Sequence, residues 1–250
     1  MANALLQVRK LNKRFGAVQA CQDISLNIDT GHIHALIGPN GAGKTTVLNQ
    51  LSGEVMPDSG SIRFDGKTIT RLPVYRRATL GLARSYQITS VFEHLTVSEN
   101  LSLSIQAHLG HSFRFWKRAS SDPAMLTAVY PAIERVGLEH RSDILAGNLS
   151  HGEKRQLEVG MALAGNPKLL LLDEPMAGMG PGGTVELSKR IMAIKKDVTI
   201  LLVEHDMTAV FSLADRITVL VYGEVIASGT PEDIRSNPDV RQAYLGDEAE

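Results

Sequence analysis

A single cysteine, Cys21, stands in a chain of 250 residues. That excludes an intramolecular disulfide and a cysteine-based metal site, fits a reducing cytosol, and leaves Cys21 the expected role of a small buried hydrophobe. Charge of one sign is missing too. Lys and Arg number 26 against 27 Asp and Glu, a net charge of -1, so no global field steers the chain to nucleic acid or to an anionic lipid surface. Long hydrophobic runs are absent: the most apolar segments, Leu169 to Leu172 and Thr199 to Val203, fall far short of the ~20 residues a membrane-spanning helix needs. No basic stretch precedes an apolar one near the start, so no secretion signal is expected. Internal repeats and low-complexity tracts are lacking as well, which argues against a solenoid or a disordered linker. Direct membrane insertion is therefore not expected, and membrane association would run through a partner.

What is present is an ordinary folding composition, 43% apolar, with two alternating patterns of hydrophobicity. Asp23 to Ile28, His32 to Ile37 and Ser61 to Phe64 alternate polar and apolar residues and read as half-buried strands. Val97 to His108, Ala124 to Val136 and Glu153 to Ala164 carry apolar residues at helical spacing, so the middle of the chain reads as a helical insertion. Strand signals return at Lys168 to Leu172, Val198 to Val203 and Arg216 to Val221, the first two as the continuous apolar runs expected of strands buried on both faces. Tyr222-Gly223-Glu224 then reads as a hairpin turn into Val225 to Ala227. The stretch from His108 to Pro123, with Phe113, Phe115 and Trp116, reads as a connecting loop.

Two motifs carry chemistry. Gly38-Pro39-Asn40-Gly41-Ala42-Gly43-Lys44-Thr45-Thr46 follows one of these strands and precedes a helical pattern from Val47 to Leu51. A glycine-rich turn in that setting aims backbone N–H groups at nucleotide phosphates, and the helix adds the positive end of its dipole. Lys44 suits the β- and γ-phosphates, and the Thr45 hydroxyl suits Mg²⁺, a hard cation that prefers oxygen. In the second motif, Leu169-Leu170-Leu171-Leu172-Asp173-Glu174, two carboxylates end a buried strand, the position where open parallel sheets bind ligands. Asp173 is placed to hold Mg²⁺ and Glu174 to orient or deprotonate an attacking water.

Shortly before that strand, Leu149-Ser150-His151-Gly152-Glu153 pairs Ser150 with Glu153 three residues on, a capping box that opens a helix. The same pentapeptide resembles the signature of the ABC ATPase family, usually Leu-Ser-Gly-Gly-Gln. Further positions are similar to that family one by one. Phe15, in Lys13-Arg14-Phe15-Gly16, resembles the aromatic that stacks on adenine, with Val18 beside it. Gln87, in Arg84-Ser85-Tyr86-Gln87, resembles the glutamine that touches Mg²⁺ and the attacking water. His205, in Val203-Glu204-His205-Asp206, resembles the switch histidine on the γ-phosphate. His151 replaces a glycine of the signature, Glu153 replaces its glutamine, and Gly180 stands where the family usually carries an aspartate that reaches across a dimer.

The resemblance implies an α/β fold: a P-loop core with a mostly parallel sheet over residues 1–87 and 164–250, an N-terminal antiparallel β subdomain, and a helical subdomain over about 88–163. It implies ATP and Mg²⁺, hydrolysis, and a second ATPase subunit, like or unlike, whose phosphates meet Ser150, His151 and Gly152. Gly223 to Glu232, Asn237 to Val240 and Ala243 to Gly246 are similar to the ending of the larger ATPase type in branched-chain amino acid uptake systems. That subfamily implies permease partners, indirectly a periplasmic solute-binding protein, and a peripheral place on the cytoplasmic face of the inner membrane. Importers of urea or amides share these features, and a soluble assembly module of the same family stays open as an alternative.

Overall fold

The computed structural model describes residues 4–85, 91–108 and 123–245. In chain order its elements are β1 (Ala4–Phe15), β2 (Val18–Asp29), β3 (Ile33–Ile37), α1 (Lys44–Ser52), β4 (Ser59–Phe64), β5 (Lys67–Thr68), α2 (Val74–Thr79) and β6 (Leu82–Ser85). There follow α3 (Val97–His108), α4 (Pro123–Val136), α5 (His151–Leu163), β7 (Leu169–Asp173), α6 (Pro181–Ile194), β8 (Thr199–Val203), α7 (Met207–Leu213), β9 (Arg216–Val221), β10 (Glu224–Gly229), α8 (Pro231–Ser236) and α9 (Pro238–Val240).

Two sheets result. The larger runs β10-β9-β3-β8-β7-β6, parallel throughout except for the β9–β10 hairpin at one edge. The smaller runs β2-β1-β4-β5 and is antiparallel. β1 escapes the alternation rule because its pairing with β2 shifts register four times, so Leu5, Leu6, Val8 and Leu11 are buried without a clean period of two.

The leucine run explains why the large sheet is covered on both faces. Leu169 and Leu171 pack with α1 and the antiparallel sheet, while Leu170 and Leu172 pack with α5, α6 and α7. All four are fully buried, each stabilising the fold by about 1.5–3 kcal/mol. A separate apolar cluster joins α3 and α4 through Leu101, Val129 and Ile133, and α5 contributes to both this cluster, through Leu157, and the sheet, through Val159 and Leu163. Cys21 is buried, and burial pushes its thiol up to about 11, as a small hydrophobe requires.

The end of α1 opposite its glycine turn is closed by a fully buried cation. Arg77 donates to the carbonyls of Gln50 and Leu51 at 2.6 and 2.8 Å, and to those of Leu72 and Thr70. It thereby satisfies orphan carbonyls at a helix C-terminus and complements the negative end of the dipole. The residues between α3 and α4, 109–122, and Gln87 lie outside the described residues.

Candidate functional site

The turn from β3 into α1 is shaped by steric limits. Gly43 has φ 102° and a Cβ there would sit 2.3 Å from the carbonyl oxygen of Ala20, so only glycine fits. Gly43 caps α1 without a side-chain hydrogen bond, and no acidic residue occupies the first turn, so no side-chain carboxylate of that turn competes for its opening amides. Lys44 Nζ donates to the carbonyls of Gly38 at 2.7 Å and Pro39 at 3.1 Å. Burial lowers the pKa of Lys44, while the charges of Glu174 and Asp173 act in the opposite sense and favour the ammonium form.

Around this turn lies a cleft of 350 Å³ lined by Val18, Gln19, Ala20, Asn40 to Thr46, Glu174 and Tyr222. Gly38 and Pro39 do not line it; their carbonyls accept from Lys44, which does. Thr45 is exposed at the helix start. Phe15 is 49% exposed where β1 turns into β2, directly opposite Val18, with the Lys13 ammonium 5.4 Å from its ring centre. Half-exposed, it is no core residue, and its ring is available for stacking. Tyr222 and Gln19 line the cleft and were not expected from the motifs.

Asp173 ends β7 with one oxygen held and one bare. Its Oδ2 accepts from Arg84 Nη2 at 2.8 Å, and its Oδ1 is buried without a hydrogen-bond partner among the described residues. A buried carboxylate oxygen left bare in this way suits a hard cation, which prefers oxygen ligands. Arg84 also donates to Asn49, Ser52 and Glu54, so a buried guanidinium links β6, α1 and the acidic strand end.

Glu174 follows in the left-handed region, φ 48°, unusual for a residue with a Cβ. Its Oε1 lies 2.5 Å from His205 Nε2. Its backbone is fixed on both sides, with the N–H donating to Val203 O at 2.9 Å and the carbonyl accepting from Ala177 N at 3.1 Å. Glu204, buried, holds the neighbouring turn: Oε1 accepts from Met176 N at 2.7 Å and Oε2 from His205 N at 3.1 Å. Burial raises the pKa of Glu204 against the lowering effect of those amides. The sequence signal for Glu204, a carboxylate directly after the apolar run Ile200 to Val203, is present but has no motif attached.

Ser150 caps α5 as the sequence predicts. Its Oγ accepts from Glu153 N at 3.3 Å and Glu153 Oε2 accepts from Ser150 N at 2.8 Å. Ser150, His151 and Gly152 do not line the cleft around Lys44. Instead His151 Nε2 lies 3.1 Å from the carbonyl oxygen of Ala177 in the same chain.

A glycine turn between parallel strand and helix, an acidic strand end beside it and a capped helix from a helical cluster define a P-loop ATPase. The profile of the ABC transporter family matches residues 21–177, and that of the branched-chain amino acid ATP-binding cassette transporters matches residues 224–250. The chain belongs to the ABC transporter ATP-binding proteins and is an ABC ATPase. It is 40% identical to the high-affinity branched-chain amino acid transport ATP-binding protein BraF of Pseudomonas aeruginosa, covering 99% of this chain and 100% of that one. It is 39% identical to LivG of Escherichia coli K12, described in the same words, again over 99% and 100% of the two chains. Among solved structures, an ATP-binding cassette of an ABC transporter in its ADP conformation superposes with a TM-score of 0.86 at 29% identity, covering 98% of this chain and 99% of that one. No helix among the described residues is long and apolar enough to cross a membrane.

Proposed function

We propose that the chain is the ATP-hydrolysing subunit of an importer for branched-chain or related amino acids, held at the cytoplasmic face of the inner membrane by permease partners. The observation that carries the motor reading is the Glu174–His205 contact at the cleft that Lys44 and Glu174 both line. The tail match at residues 224–250 supports the amino-acid part.

In this reading the amides of Gly41 to Thr46 and Lys44 Nζ hold the β- and γ-phosphates, while Phe15 stacks on adenine with Val18 beside it. Glu174 takes a proton from water as the water oxygen bonds to the γ-phosphorus; the bond to the β–γ bridging oxygen breaks and ADP leaves. His205 steadies that carboxylate and donates to the γ-phosphate. Thr45, Asp173 and Gln87 would hold Mg²⁺, which neutralises phosphate charge.

Two ATPase subunits, like or unlike, would close head to tail on two ATP molecules, with Ser150, Gly152 and the α5 N-terminus facing the partner's γ-phosphate. The core, 1–87 and 164–250, and a helical subdomain, 88–163, would shift relative to each other on closure. Phe92, 53% exposed, and half-buried Leu95 would meet a cytoplasmic helix of a permease. A periplasmic solute-binding protein would deliver the solute.

Uptake of labelled leucine, isoleucine and valine in the native host tests this. Deletion of the gene abolishes uptake, the wild-type chain restores it, and Lys44→Ala does not. Loss confined to urea or short amides reassigns the solute. Unchanged uptake of all of them, with ATP turnover intact, favours an assembly module uncoupled from transport.

A further inference from the structure

The turn that follows Glu174 is held from two sides by three side chains, one of them unexpected. From just past the end of β8, Glu204 accepts the amide of Met176. From α5, Arg155 Nη2 approaches the carbonyl of Glu174 at 3.4 Å, and His151 Nε2 reaches the carbonyl of Ala177 at 3.1 Å. A carbonyl only accepts, so Nε2 carries the proton and His151 is the donor. The surfaces around this bond are tight. A Cβ at Gly152 would lie 3.0 Å from Met179 Cε, and one at Gly178, whose φ is 74°, would lie 3.4 Å from His151 Nε2. Small residues on both sides let the start of α5 and the turn 177–179 approach closely enough for the imidazole to bridge them.

We propose that His151 is a positioning residue: it ties the N-terminus of α5 to the backbone that carries Glu174 within one subunit. The inference rests on the motor reading above, in which the start of α5 meets the nucleotide of the second subunit. Movement of α5 on closing over that nucleotide then passes through His151 and Ala177 to Glu174, three residues earlier. In a chain whose Gly180 has no carboxylate to reach across a dimer, this bond supplies a link between two sites from inside the subunit. It also assigns the histidine a partner in its own chain rather than the opposing phosphate that the signature alone suggests.

Two variants separate these roles. In His151→Gln the amide nitrogen replaces Nε2 and keeps the donor; in His151→Leu the shape stays similar and the donor goes. Hydrogen exchange of the peptide over residues 174–180 is followed in the nucleotide-free subunit alone, and ATPase kinetics in the assembled transporter. His151→Leu is expected to speed exchange roughly 5-fold, the worth of one hydrogen bond. It is expected to lower kcat by about 10-fold or more with KM for ATP unchanged, because positioning and not nucleotide affinity is lost. His151→Gln is expected to stay near wild type in both. Unchanged exchange in His151→Leu overturns the proposal, as does a raised KM with kcat intact, which returns His151 to the opposing phosphate. If the wild-type assembly turns over no ATP, the motor reading fails while the exchange measurement still decides whether His151 holds the turn.

Discussion

His205 Nε2 and Glu174 Oε1 are 2.5 Å apart, the imidazole 43% exposed and the carboxylate 15% exposed. One end of the pair is thus screened from water and aimed, and the other is open toward solvent. If Glu174 is the proton acceptor, Glu174→Gln lowers steady-state phosphate release by at least ~100-fold while a fluorescent ATP analogue still binds. His205→Ala lowers it as well, and the double variant is no worse than Glu174→Gln alone, because the two act as one unit. Additive losses would separate the residues.

Arg84 and Asp173 form a pair whose side chains are only 7% and 2% exposed. Removing the cation strands a buried carboxylate, so Arg84→Leu should cost about 3–5 kcal/mol in urea unfolding. Adding Asp173→Asn to Arg84→Leu should return part of that loss. A double variant as unstable as Arg84→Leu would show that the arginine acts through Asn49, Ser52 and Glu54 instead.

Glu204 accepts two backbone N–H groups with two different oxygens. Glu204→Gln keeps the shape but offers one oxygen and one NH₂, so one buried amide then faces a donor. The expected cost is about 1–3 kcal/mol of stability, with kcat reduced and KM for ATP little changed, read by calorimetry and ATPase assay. Glu204→Gln with wild-type kcat would remove the residue from the positioning of Glu174.

His34 is buried in β3, 2.8 Å from the Thr218 hydroxyl, which lies 2.9 Å from that of Ser228. Burial, with Arg216 and His32 nearby, lowers its pKa to about 4 from an ordinary 6.5. The unfolded chain takes up a proton below 6.5 that the folded chain refuses until about 4, so this contribution is complete above 6.5 and is lost as pH falls toward 4. At about pH 5 the loss should be on the order of 2 kcal/mol. Urea unfolding across that range checks it: His34→Gln should flatten the slope, and an unchanged slope would assign it to the carboxylates.

Much of this architecture was legible because it rests on local pattern. The leucine run before Asp173, the glycines before Lys44 and the Ser150–Glu153 box each declare strand, turn or cap within a few residues. β1 was not legible, since bulges destroy its alternation. Nor were Arg84 and Glu204 as partners of Asp173 and Met176, because those pairings join residues 89 and 28 positions apart in sequence. His151 was visible as a departure from the signature, but its acceptor lies 26 residues away across a turn. Gln87 lies outside the described residues, so its place in the site stays a reading of sequence.

Glu174 occupies a left-handed backbone conformation that a glycine or asparagine would adopt with less strain. Natural selection at this position therefore pulls in two directions. If Glu174 is the proton acceptor, stability alone favours discarding the side chain and only continued demand for hydrolysis keeps it. In a copy of this gene released from that demand, position 174 is where the first stabilising substitution would also be the one that silences the enzyme. Loss of the carboxylate there, with the fold intact, is the mark by which a retired relative would be known.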